Sequence, residues 1–151
     1  MKIISHRGLV DGPDPTIENS PDAIRAALGE FFLVEVDIRM VDGKLWFGHD
    51  EPQYEVPEDM IHSPDIIFHA KDRLALHYLA QRDVHHFWHQ DDDYTYTSHG
   101  WVWAYPGQLA AGRQCIAVMP EVNFSPEIIS ESRFTGVCTD YPRLYHEALN
   151  M

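Results

Sequence analysis

Residues 31–50 read FFLVEVDIRMVDGKLWFGHD, and the fold turns on this stretch. FFLVEVDIR, at 31–39, predicts a strand whose alternate side chains face two ways. Asp42-Gly43 is a tight-turn pair, so KLWFGHD, at 44–50, runs back as a second strand. Glu35 and Asp37 are two apart and project from one face. Two carboxylates on one face repel unless something binds between them, and a hard divalent cation suits oxygen ligands. The returning strand brings His49-Asp50 beside that pair.

Working outward, KIIS at 2–5 reads as a strand that ends at His6-Arg7-Gly8. LVDGPDPTIENS at 9–20 is turn chemistry, with Pro13 and Pro15 restricting the backbone. Ser20 or Asn19 can cap a helix over PDAIRAAL, 21–28, with Pro21 near its first position and Gly29 stopping it. DIIFHAK at 65–71 is another strand. A helix follows over 72–82, with Leu74, Ala75, Tyr78 and Leu79 on its apolar side. VHHFWHQ at 84–90, GWVWAYPG at 100–107, CIAVMPE at 115–121 and TGVCTD at 135–140 supply further strands. Ser125-Pro126-Glu127 opens a short helix, and residues 142–149 form the last one.

Strands alternating with helices or long loops predict an α/β fold with mainly parallel strands. His6, Glu35, Asp37, His69, Lys71, His89, Glu121 and Asp140 all fall at or near C-terminal strand ends. In parallel α/β folds that edge carries the active site.

Charge narrows the function. The chain has 151 residues, one domain's worth, with 24 acidic and 11 basic side chains and a net charge of −13. There is no basic patch for nucleic acid, and an anionic membrane surface would repel the chain. An anionic small-molecule substrate would need a bound cation or a few Arg and Lys to overcome the field. No apolar run approaches the ~18 residues that span a bilayer, and the polar start predicts a cytoplasmic protein. Cys115 and Cys138 are expected to be free and buried.

Taken in order, HRG, ENS, VEVDIR, DG and GHD over residues 3–50 resemble the glycerophosphodiester phosphodiesterase family. Gly136-Val137-Cys138-Thr139-Asp140-Tyr141-Pro142 resembles that family's closing segment. The resemblance implies a (β/α)₈ barrel that hydrolyses phosphodiesters with a divalent metal. His6 and His49 become the acid–base pair, Arg7 contacts the phosphate, and Lys71 offsets developing charge. Glu35 and Asp37 become metal ligands. Glu18 lies near the metal or holds Arg7, and Asn19 takes a structural or capping role. The substrate would be a glycerophosphodiester or a glycerol- or sugar-phosphodiester.

The chain also departs from the family pattern. His69 stands where the family commonly has the Glu of Glu-x-Lys, while Lys71 matches. Mg²⁺ or Ca²⁺ then shares the expectation with Mn²⁺ or Zn²⁺, because imidazole favours the latter. Glu121 is a candidate for the missing carboxylate. A full barrel needs roughly 250 residues, so the expected form is a reduced TIM-type barrel with several helices missing, as in a short branch of the family. Bare strand edges would favour a homodimer.

The segment WHQDDDYT at 88–95 and WVWAYPG at 101–107 is rich in aromatic and ligand-type residues. On one reading His89 and Asp92 or Asp93 line the pocket while Trp103 and Tyr105 stack on the substrate. On the other, these aromatics fill a core left by absent helices; that reading leads for Trp88 and Trp101. His62, His77, His85, His86, His99 and His146 are expected to have no role. The alternative to an enzyme is a metal-dependent binding module for phosphorylated glycerol or sugar.

Overall fold

The structure is a computed structural model that describes residues 1–150. The chain runs β1 (Lys2–His6), α1 (Pro21–Gly29), β2 (Leu33–Val41), β3 (Lys44–Phe47), β4 (Tyr54–Glu55) and β5 (Ile66–Ala70). It continues with α2 (Arg73–Ala80), β6 (His86–Trp88), β7 (Tyr94–Tyr96), β8 (Val102–Ala104) and β9 (Cys115–Val118). It ends with α3 (Pro126–Ser130), β10 (Gly136–Thr139) and α4 (Pro142–Leu149).

A parallel run in the order β6-β5-β2-β1-β10-β9-β8 makes the body of one curled sheet. The turn at Asp42-Gly43 sends β3 back antiparallel along the far end of β2, with Ile38 opposite Phe47. β7 pairs antiparallel with β8. It also reaches β6, because Ser98 N donates to His86 O at 2.8 Å and Thr95 Oγ1 donates to Trp88 O at 2.9 Å. The β8 end of the parallel run is thus covered by β7, whereas β6 pairs as a strand only with β5 and is met on its other side by these single bonds from residues 95–98. The architecture is mixed α/β with a curled sheet, in the manner of an incomplete barrel.

The inner face carries Ile4, Ile67, Phe87, Trp103, Ile116 and Cys138. The outer face of β2 and β5 packs Val34, Val36, Ile38 and Phe68 against Ile24 and Ala27 of α1 and Ala75 and Leu79 of α2. The outer face of β8, β9 and β10 packs against Ile129 of α3 and Tyr145 of α4. β2 is buried on both faces, which explains why its sequence is apolar at nearly every position except the two carboxylates.

Local chemistry sets the helix starts. Ser20 Oγ accepts Ala23 N, Asp72 Oδ1 accepts Ala75 N, and Ser125 Oγ accepts Ile128 N. Two expectations change. Gly29 is still helical, and the left-handed reversal falls on Phe31, at φ 68°. In α2 Ala75 and Leu79 are buried and Leu76 and Tyr78 pack partly buried against the same core, whereas Leu74 is 48 % exposed. Cys115 and Cys138 are free and buried. No helix among the described residues is long and apolar enough to cross a membrane.

Candidate active site

The C-terminal ends of β1, β5 and β6, the middle of β2, and the residues at and just past the ends of β8 and β9 surround a cavity of about 290 Å³. One side of it is polar: His6, Arg7, Glu35, Asp37, His49, His69 and Lys71. The other is largely aromatic and apolar: Phe87, His89, Trp103, Tyr105 and Val118. Glu35 and Asp37 project from β2 into this space and His69 from its parallel neighbour β5, where Asp37 and His69 are register partners.

These three side chains form a group able to hold a metal ion, with one donor atom from each lying within 4.8 Å of the others. His69 Nδ1 lies 3.6 Å from Glu35 Oε1 and 3.3 Å from Asp37 Oδ1. Glu35 is 2 % exposed, and its Oε2 is buried with no hydrogen-bond partner among the described residues. A buried carboxylate oxygen left unbonded is costly, and a cation in the cavity would relieve it. The residues present therefore fit a divalent ion. Burial works against a charged His69, but Asp37 and Glu35 outweigh it and lift its pKa to about 9. Burial also opposes ionisation of Asp37, yet the His69 and Arg7 charges and the Asn19 amide hold it well below the usual carboxylate range.

Arg7 is shaped by the backbone around it. Its φ is 57°, its N–H donates to Glu35 O at 2.8 Å, and its carbonyl accepts Asn19 N at 2.8 Å. Gly8 follows because α1 is packed against it: a Cβ there would lie 2.9 Å from Ile24 N. The Arg7 guanidinium is clamped between two acids. Nη1 donates to Glu18 Oε2 at 3.1 Å, and Nε lies 3.0 Å from Asp37 Oδ2 without hydrogen-bond alignment. Glu18 thus takes the Arg7-holding place of the two expected for it. Asn19, at φ 63°, turns inward to Asp37 while Ser20 caps α1.

The two candidate acid–base histidines are each held by a carboxylate. His6 Nδ1 lies 2.7 Å from Asp140 Oδ1, and Nε2 lies 3.7 Å from the unbonded Glu35 Oε2. Burial lowers the His6 pKa, but the Asp140 hydrogen bond and the Glu35 charge more than compensate, so it is raised above 6.5. His49 sits at the rim, 37 % exposed, with Nδ1 2.8 Å from Asp50 Oδ1. Its backbone is fixed by Gly48, whose N–H donates to Asp37 O at 3.0 Å, and by Arg39, whose guanidinium bonds the Gly48 and His49 carbonyls. Lys71 lines the cavity and makes no salt bridge among the described residues.

Across the cavity, His89 and Tyr105 stack with ring centroids 3.6 Å apart. Trp103 is 1 % exposed and packs on Phe87 at 5.2 Å, so it is chiefly core. Burial pushes the Tyr105 hydroxyl up, which leaves it a neutral donor.

Several expected residues lie elsewhere. Glu121 is not with the metal-type group: its carboxylate accepts Thr139 Oγ1 at 2.9 Å and Asp140 N at 3.2 Å, bracing the end of β10. Asp92 and Asp93 are exposed and outside the cavity lining, and Asp92 contributes a carbonyl to His89 Nε2 instead. Trp88 is 37 % exposed rather than core. His85 is buried, with Nε2 2.7 Å from Thr97 Oγ1 and its ring stacked on His99. Asp140 stands at a strand end with no specific role legible in the sequence; it lies 134 residues along the chain from His6, and that separation gives no sign of their pairing.

Compared with known proteins, the chain matches no family model, no curated protein and no solved structure.

Proposed function

We propose that this protein is a metal-dependent phosphodiester hydrolase acting on a glycerophosphodiester or a glycerol- or sugar-phosphodiester. The observation that carries the reading is the content of one cavity. It holds a buried Glu35–Asp37–His69 group with an unbonded oxygen, two histidines each oriented by an acid, and two cations, Arg7 and Lys71. The order of these residues in the sequence, which resembles the glycerophosphodiester phosphodiesterase family, supports the same reading. On it, the curled sheet is a reduced TIM-type (β/α) barrel in which α1, α2, α3 and α4 are the helices kept.

A divalent ion held by Glu35, Asp37 and His69 would polarise a phosphoryl oxygen and acidify a neighbouring hydroxyl. Arg7, its fork fixed by Glu18 and Asp37, faces the polar side of the cavity where a phosphate would sit. Lys71 adds a second positive charge there and offsets negative charge as it develops. Of His6 and His49, one accepts the proton of the attacking hydroxyl and the other protonates the departing alcohol. Asp140 and Asp50 keep each ring turned with its second nitrogen free for that exchange. Tyr105, His89 and Trp103 exclude water from the far side and offer a flat wall to a glycerol or sugar moiety.

A second reading, a binding module without turnover, draws on His69 standing where the resemblance calls for a carboxylate. Hydrolysis of an aryl phosphodiester such as bis(p-nitrophenyl) phosphate separates the two. The enzyme reading expects release of nitrophenol with an added divalent ion and none with chelator. Tight binding of glycerol phosphate with no turnover in any metal would favour the module.

A further inference from the structure

We infer that the ion this site selects is a borderline first-row divalent metal — Mn²⁺, Fe²⁺, Co²⁺ or Zn²⁺ — bound through His69 Nδ1, rather than Ca²⁺ or Mg²⁺. This rests on the metal-site reading of Glu35, Asp37 and His69 and decides which ion they hold.

The argument begins at the other nitrogen of His69. Nε2 lies 3.2 Å from the backbone oxygen of His89. A carbonyl can only accept, so Nε2 carries the hydrogen and donates it. In the neutral ring this leaves the lone pair on Nδ1, the atom that faces Glu35 and Asp37. A ligating histidine is oriented in this way, with its second N–H given to a carbonyl or carboxylate. The ring cannot easily swing out of that pose, because it stacks on Phe87 with centroids 4.6 Å apart.

The oxygen donors are equally fixed. Asn19 holds Asp37 from the side, donating to Oδ2 at 3.0 Å and accepting Asp37 N at 3.0 Å. Glu35 presents a buried oxygen with no hydrogen-bond partner among the described residues, its nearest charged neighbour being His6 Nε2 at 3.7 Å. The preset donors are therefore one imidazole nitrogen and two carboxylates. Ca²⁺ calls for about six to eight oxygens in a loose shell, and Mg²⁺ for a near-octahedral oxygen set. Elsewhere the cavity is lined by Phe87, Trp103 and Val118, which supply no side-chain oxygen, and by Tyr105 and Gln90, which supply neutral oxygens but no further carboxylate. The other carboxylates around the site are committed elsewhere: Glu18 to Arg7, Asp140 to His6, and Glu121 to Thr139 and Asp140. Imidazole mixed with carboxylate instead suits the borderline ions.

The test uses the whole protein, stripped of metal and then loaded with Mn²⁺. Electron spin-echo modulation of the wild type is expected to show a directly bound ¹⁴N nucleus, absent in His69→Glu and His69→Gln. In calorimetric titrations the ratio of Mn²⁺ to Ca²⁺ affinity should fall at least about tenfold in His69→Glu, since even outer partners of a ligand change affinity on that scale. Mn²⁺ bound with no nitrogen coupling, or an affinity ratio unmoved in His69→Glu, would overturn the choice of ion while leaving a metal site in place. Failure of the wild type to bind any of the four ions or Ca²⁺ would overturn the metal-site reading, and this inference with it. The wild-type spectrum decides by itself if His69→Glu fails to fold.

Discussion

Asn19 grips Asp37 twice: its side-chain amide donates to Oδ2, and its side-chain oxygen accepts the Asp37 backbone N–H, both at 3.0 Å. The pair joins the loop after β1 to the middle of β2. It fixes one carboxylate of the metal-type group and stands beside Arg7, whose Nε lies 3.0 Å from the same carboxylate oxygen. A buried loop residue in the left-handed region, fully enclosed and bonded to a strand, links backbone conformation directly to the site.

Asn19→Ala removes both bonds and leaves the buried Asp37 N–H unpaired, at a cost of about 1–3 kcal/mol. It also frees a carboxylate that the ligand set needs, so metal affinity should drop about 10–100-fold. Thermal unfolding and metal titration read the two effects separately. Asn19→Gly tolerates the φ of 63° but still lacks the amide, so it should lose metal affinity to the same extent.

In the metal-free protein, Asp140→Asn should lower the pKa of His6. Burial already pushes that pKa down, and the Asp140 bond is the largest of the effects that raise it above 6.5. An NMR titration of the His6 ring follows the change. With Asp140 present, His6 stays protonated to higher pH than an ordinary histidine; in the variant the midpoint moves downward.

His85 makes the fold sensitive to acid. Burial, then the neighbouring His99 and His86 charges, depress its pKa from 6.5 to about 4. Above pH 6.5 the ring is neutral in both the folded and unfolded chains, so it contributes no pH dependence. As pH falls from 6.5 towards 4, the unfolded chain takes up a proton that the folded one refuses. Stability is therefore lost across that window, by at most about 3 kcal/mol from a shift of this size. His85→Gln, which keeps a donor for Thr97, should flatten that part of the stability curve measured by denaturant unfolding at stepped pH.

Gly48 has φ 153°, and a Cβ placed there would lie 1.9 Å from Glu51 O. Gly48→Ala must move either the 48–51 turn or the strand before it, at a cost of about 1–3 kcal/mol. Because Gly48 N bonds Asp37 O and His49 follows directly, hydrolytic activity should fall more than stability does.

Much of this site was legible because its parts are local. The Glu35-x-Asp37 spacing forces both carboxylates to one face, and Asp42-Gly43 returns His49 to the same strand. Parallel pairing then brings His69 opposite Asp37. What the sequence hid depends on long-range pairing or on side-chain choice. His6 and Asp140 meet only because β1 and β10 are neighbours. Glu121 stands at a strand end like the ligands, yet turns to Thr139 and Asp140. The antiparallel β7 went unseen because DDDYTYTS alternates polar and aromatic residues without an apolar run. The helix end at Gly29 misled for a different reason. Glycine marks many helix ends, but here the left-handed turn falls on the exposed Phe31.

The central claim is turnover of a phosphodiester by the His6–His49 pair. The most direct measurement is the ³¹P spectrum of a glycerophosphodiester incubated with the metal-loaded wild type, His6→Ala and His49→Ala. The account predicts that the wild type replaces the diester resonance with that of a phosphomonoester, while both variants remain folded and leave it at least about 100-fold longer. A diester that persists with the wild type in every metal, or that disappears as fast with either variant, would contradict it.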